Sequence, residues 1–181
     1  MGANVRLSTE EMRLVTDAAW ILTKNSVIAK AVDLFGELSG EWREMLPWDS
    51  NPKISRGEQY KGFPWVMLDY PRIFGKEDVL AVRTLFWWGH CFSMTLHLKG
   101  SYLRKYLNVI RAGQGVLEAA GFRPGTSEDE WEHEHQPGAW ATIGDRPWVK
   151  ISVNIGLDKW NDAPEILTAK FAVLSRILVA S

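Results

Sequence analysis

Residues 79–99, VLAVRTLFWWGHCFSMTLHLK, constrain the fold more than any other stretch of the chain. Two runs rich in β-branched and aromatic residues flank Gly89-His90, the pattern of a β-hairpin. Glycine at the first central position of a two-residue loop suits a type II′ turn. That loop sets Trp88 opposite Cys91, Trp87 opposite Phe92 and Thr84 opposite Thr95. Side chains alternate across a strand, so this register decides which of them share a face. One face collects Val79, Ala81, Arg83, Leu85, Trp87, Phe92, Met94, Leu96 and Leu98; apart from Arg83 it is apolar and belongs against a core. The other carries Leu80, Val82, Thr84, Phe86 and Trp88 with Cys91, Ser93, Thr95, His97 and Lys99. Aromatics beside hydroxyls, a thiol and an imidazole suit a half-covered sheet face or a pocket wall.

The remaining segments supply helices and further strands. Ser8 and Glu11 have capping-box spacing, and the stripes Met12, Val15, Ala19, Leu22 and Ile28, Ala31, Val32, Phe35, Leu38 predict helices over about 8–46. A break is expected near Asp17 or Asn25. Residues 47–61 read as a loop and 62–70 as a strand ended by Pro71. A helix over about 102–120 has Ser101 to cap it and Gly121 to close it. After an acidic, turn-rich stretch, 131–135 and 139–143 read as short strands. The run 148–157 alternates clearly, with Val149, Ile151, Val153 and Ile155 on one side and Trp148, Lys150, Ser152 and Asn154 on the other. A last helix fits about 162–179, with Pro164 in its first turn. This order predicts a single α+β domain over 1–181: an antiparallel sheet of about 4–6 strands, drawn from about 62–99 and 131–157, with helices packed mainly on one face.

Composition narrows the partners. The 181 residues carry a formal net charge of −1 and no basic run, which argues against nucleic acid. No stretch approaches the ~20 apolar residues of a bilayer span, so no membrane partner is expected. Residues 1–13 lack an apolar signal core, and Cys91 is the only cysteine, so a reducing, cytoplasmic location is expected. Ten tryptophans point to a binding surface or a subunit interface, because the indole joins a large apolar area to one N–H that needs a partner.

Three functional readings follow. The first is a small-molecule or peptide-binding domain using Thr84, Phe86, Trp88, Ser93, Thr95 and His97, joined by Lys150, Ser152 and Asn154 if the later strand turns its polar side the same way. The second is a homo-oligomeric interaction protein, a homodimer in the simplest case, with a Trp-rich interface. The third is a metal-dependent hydrolase: on a strand, His133 and His135 of WEHEH project together and can bind a divalent metal, although catalytic zinc sites use three protein ligands. The plainer reading of WEHEH is a solvated acidic loop. Cys91 reads as an inert buried thiol, because the adjacent His90 points to the opposite side of a strand. Arg56, Glu58, Asp69, Tyr70 and Arg72 fit salt bridges and turns better than an anion clamp. No phosphate-binding glycine loop and no GxSxG elbow is present, and whether the chain is an enzyme stays open.

Overall fold

A computed structural model describes residues 5–179; the first four residues of the N-terminal reading and the last two of the chain lie outside it. The capping box forms, with the Glu11 N–H donating to the Ser8 hydroxyl and the Ser8 N–H to the Glu11 carboxylate. It starts α1 (Thr9–Thr16). Asp17 interrupts the helix and caps α2 (Ala18–Met45) by accepting from the Ala19 and Trp20 N–H groups. The strands β1 (Lys53–Tyr60), β2 (Phe63–Phe74), β3 (Val79–Trp87) and β4 (Cys91–Lys99) follow. Then come α3 (Gly100–Ala112), α4 (Gln114–Ala119), β5 (Arg123–Pro124), β6 (Trp148–Gly156) and α5 (Ala163–Val179).

The fold is α+β. Six strands form one antiparallel sheet in the order β1-β2-β3-β4-β6-β5. Its inner face meets the helices in one apolar core. Val66, Leu68 and Tyr70 of β2, Leu80, Val82 and Phe86 of β3, Phe92, Met94, Leu96 and Leu98 of β4, and Val149, Ile151, Val153 and Ile155 of β6 pack there with Phe35 and Trp42 of α2, Tyr106 of α3 and Phe171 of α5.

The central hairpin differs from the sequence expectation by one residue. Its loop is Trp88-Gly89-His90, and Trp87 pairs with Cys91, Phe86 with Phe92, Leu85 with Ser93 and Arg83 with Thr95. The His90 N–H donates to the Trp87 carbonyl, and Gly89 has φ +74° at the third turn position, where a type II turn needs positive φ. The shift exchanges the faces of β3 relative to β4. It places Leu80, Val82 and Phe86 in the core beside Phe92, with Thr84 the one polar intruder, and it frees Arg83 to reach the outer face. Burying a hydroxyl costs far less than burying an unpaired guanidinium, so this is the favourable register.

Other boundaries moved for local reasons. The edge strand β1 occupies most of the stretch read as loop; KISRGEQY is too polar to show alternation because only one of its edges is paired. Strand β2 continues through Pro71, which falls in the register shift between Asp69 and Arg72, where the ladder is already interrupted. The helix expected over 102–120 is divided at Gly113. Ser101 does not cap it: the helix begins at Gly100 with Lys99 at the N-cap position, and the Ser101 N–H donates to the Asp78 carboxylate. Gly121 closes α4 at φ +84°, with the Phe122 N–H returning to the Leu117 carbonyl. Neither 131–135 nor 139–143 is a strand; the first is irregular and the second holds the 3-10 turn Trp140–Thr142. β5 pairs with β6 only at Arg123 and Pro124, after which the chain leaves the edge.

Candidate functional site

What the chain does after β5 creates the site. The base of the excursion is stapled to the sheet: the Gly125 N–H donates to the Lys150 carbonyl at 2.8 Å, the Gly138 N–H to the Pro124 carbonyl at 2.7 Å, and the Thr126 N–H to the Gln136 carbonyl at 3.0 Å. Between these ties, residues 126–136 fold back as a strap across the outer face of the sheet. Ionic contacts fasten it. One Glu130 carboxylate oxygen takes His97 Nε2 at 3.1 Å and the other takes Lys99 Nζ at 2.8 Å. Glu132 accepts from the Tyr60 hydroxyl and lies 3.2 Å from Lys61 Nζ, which also reaches Glu134 at 2.5 Å. The Tyr60 oxygen in turn accepts from the His133 and Glu134 N–H groups, both at 3.1 Å. Trp131 lies 5.3 Å from the His97 ring, and the Arg83 guanidinium sits over its face. An acidic strap thus closes over a basic sheet face.

Beneath the strap lies a polar cavity of about 20 Å³, the room one buried water needs. Arg83, Thr95, His97, Lys150 and Ser152 form its floor, and His133 and His135 of the strap face them. The Thr95 and Ser152 hydroxyls are hydrogen-bonded at 2.7 Å across β4 and β6. Arg83 Nε donates to the buried Asp69 at 2.8 Å. Lys150 is 9% exposed and donates to the Glu132 carbonyl. Open clefts flank the strap. One, about 250 Å³, shares His133, Glu134 and His135 with the cavity and is walled by Leu85, Trp87, His90, Cys91, Ser93 and Asn154. The His90 ring stacks on Trp87 with centroids 3.6 Å apart. Another, about 390 Å³, is lined by Tyr60, Trp65, Met67, Leu85 and His133.

Burial and cations set the protonation states. Burial, then Lys150, Arg83 and Lys99, push His97 down to about 3. Burial, then Arg83 and Lys150, push His133 down to about 4, and burial with Lys150 lowers His135. The imidazoles are therefore neutral at pH 7. Glu130 is already the acceptor for Lys99, so His97 Nε2 carries the proton it donates. Burial acts to raise Glu132, but the Tyr60 hydroxyl, the Glu134 N–H and Lys61 outweigh it and hold the carboxylate at about 2. Burial also lowers Lys150, against the pull of Glu132, Asp129 and Glu130, and raises Asp69 despite Arg83.

The sequence-based ligand set is split by the register. Ser93, Thr95 and His97 lie on the outer face with Lys150 and Ser152, whereas Thr84 and Phe86 are buried under the helices and Trp88 packs against Phe86 on that same side. His133 and His135 sit in the strap and not on a strand, and among the described residues no group of three or more His, Cys, Asp or Glu is arranged to hold a metal ion. Burial pushes the Cys91 thiol up, away from a nucleophilic thiolate. Asp69 and Tyr70 are tied to Arg83 and to the Leu46 carbonyl, and Glu58 pairs with Lys24. Tyr60, Arg83, Glu130 and Glu132 were missed as site residues. Arg83 had left a trace as the sole charge on a supposed core face, a sign of pairing one position out of step. No protein-family model, curated protein or solved structure matches the chain.

Proposed function

We propose that the chain is a small-molecule-binding domain whose site is the strap-covered outer face of the sheet. One observation carries this reading: a small polar cavity under the strap, lined by Arg83, Lys150 and three neutral imidazoles, adjoins a wider cleft with Leu85 and Trp87 as its apolar wall. An apolar wall with a few convergent polar groups is how small-ligand pockets are built. Ser93, Thr95 and His97 stay in the binding set, joined by Lys150, Ser152 and Asn154, and Arg83 and Trp87 take the places given to Thr84, Phe86 and Trp88. A cytoplasmic location and no nucleic-acid partner belong to the same reading, supported by the lone cysteine and the net charge of −1. Among the described residues no helix is long and apolar enough to cross a membrane.

Native mass spectrometry of freshly purified, untagged protein tests the reading, followed by tryptophan fluorescence titration with whatever mass co-purifies. The expected result is a bound small molecule whose addition quenches the native chain and leaves Trp87→Phe with much less response. A ligand-free spectrum, together with no thermal shift from a broad metabolite panel, removes it.

A second reading, a homodimer, is favoured by one feature. Helix α1 buries no residue, and Met12, Val15, Trp20, Ile21 and Leu22 along α1 and the first turns of α2 are exposed. A cluster of exposed apolar side chains at one end of a chain is a common subunit contact. A monomeric mass by sedimentation at micromolar concentration would end that reading.

A further inference from the structure

We propose that the cleft between β1, β2 and Trp131 of the strap is a second binding site, for a small aromatic phosphate monoester. It shares no lining residue with the Trp87 cleft, so it goes beyond the binding reading above and is tested apart from it.

Register builds the site. Lys53, Asp69 and Arg83 are cross-strand partners along β1, β2 and β3, so the three charges stand in one row on the outer face. Beyond Asp69 the ladder shifts; Arg72 then pairs with Ala81 and Phe74 with Val79, on the same side as Arg83. Regular alternation from Asp69 would have put Arg72 and Phe74 under the helices, and the irregularity at Pro71 turns them outward. With Ser55 and Trp131 these residues line a cleft of about 250 Å³.

The lining is cationic. Lys53, Arg72 and Arg83 face one carboxylate, Asp69, which Arg83 takes at 2.8 Å. Among the described residues Lys53 and Arg72 are in no ion pair. The acids of the strap nearest Trp131 do not line the cleft. Glu130 is taken by His97 and Lys99, Glu132 by Tyr60 and Lys61, and Asp129 accepts from the Trp131 N–H. The excess matches a phosphate monoester, which carries about −1.5 to −2 at pH 7, better than the single charge of a carboxylate.

The walls are aromatic. Phe74 and Trp131 are 38% and 47% exposed, with ring centroids 6.0 Å apart. Arg83 lies 5.3 Å from the Phe74 centroid and 5.9 Å from that of Trp131, and Arg72 lies 6.0 Å from Phe74. Guanidinium groups held against rings keep N–H donors for phosphoryl oxygens, while the open ring surface accepts a flat body.

Calorimetric titration of the full chain at pH 7 with phenyl phosphate, inorganic phosphate and benzoate tests this. Phenyl phosphate is expected to bind about 10-fold or more tighter than inorganic phosphate, the effect of one stacked ring. It should exceed benzoate by a similar factor, and Arg72→Gln should weaken it about 10- to 100-fold, the range for a charge-assisted hydrogen bond. Arg72 is exposed, so this variant keeps the fold. In Trp131→Ala the advantage of phenyl phosphate over inorganic phosphate should collapse toward unity. Inorganic phosphate binding as tightly in the native chain overturns the aromatic class, and benzoate binding as tightly overturns the phosphate. No binding of phenyl phosphate, or full binding in Arg72→Gln, overturns the site.

Discussion

The two faces of this sheet are built from alternate residues of the same strands, yet they are held by different physics. On the inner side Phe86, Phe92, Met94 and Leu96 meet Phe35, Trp42 and Phe171 with almost no solvent contact. Its cohesion comes from area removed from water and from close packing, and it has no directional requirement beyond shape. On the outer side only Met67, Leu85 and Trp87 form a small buried apolar group, and the strap is held by Glu130, Glu132 and Glu134 on His97, Lys99, Tyr60 and Lys61. Charged hydrogen bonds depend on angle and protonation, so this side has adjustable chemistry that the core lacks. The difference teaches where to look for function: on the side whose stability is conditional.

Deleting a core ring gives the largest effect. Trp42 is fully buried, stacked on Phe171 with centroids 4.3 Å apart and planes 3° from parallel. Trp42→Ala should cost about 3–5 kcal/mol through lost transfer energy and an unfilled cavity. Trp131→Ala removes an equal ring from the strap, but one already 47% exposed, and should cost about 1 kcal/mol or less. Denaturant unfolding measures both; equal losses would erase the distinction between the faces.

Next in size, among the described residues, is the most enclosed Arg or Lys ion pair on the outer face, Arg83 with Asp69. Arg83 also donates to the Met67 sulfur at 2.9 Å and sits over the Phe74 and Trp131 rings. Arg83→Met strands a carboxylate that burial already disfavours, and should cost about 3 kcal/mol. Asp69→Asn in the same background should then recover part of the loss, because the stranded charge is gone. A double-mutant cycle reads the coupling, and strictly additive losses would show that the pair does not act as a unit.

Arg83 also shows how far the fold was legible. The capping box at Ser8, the Asp17 break, the alternation of β6 and the apolar stripes of α2 and α5 are local signals, and each appears where local physics puts it. Register is not local. A shift of one residue in the 88–90 loop leaves strand composition unchanged and exchanges every face in β3, which is why half of the expected ligand set lies under the helices. Strand β1 was hidden because an edge strand has no need of an apolar period. The strap was hidden because its residues are individually polar and find order only against Tyr60, Lys61, His97 and Lys99, as many as 74 positions away in the chain.

The smallest effect is also the most diagnostic of the outer face. His97 is 1% exposed, and the groups that face it are Glu130, Lys99, Lys150 and Arg83 with the Trp131 and Trp148 rings. Its ordinary value of 6.5 falls to about 3 in the folded chain. Between those values the unfolded chain binds a proton that the folded one refuses. The stabilisation is therefore complete above pH 6.5 and is lost as the pH falls toward 3. From pH 7 to pH 5 His97 alone should remove about 2 kcal/mol of unfolding free energy, and His133 acts in the same direction. Asp69, raised by burial, acts in the opposite direction, in a window just above its ordinary 3.8. His97→Gln keeps a donor for Glu130 but has no proton to gain, so it should flatten the slope between pH 7 and pH 5. It should do so while changing the pH 7 stability by no more than about 1 kcal/mol, the net worth of one hydrogen bond. An unchanged slope in His97→Gln would assign the titration elsewhere, and the buried imidazole under the strap would then be a packing group with no part in the conditional stability of this face.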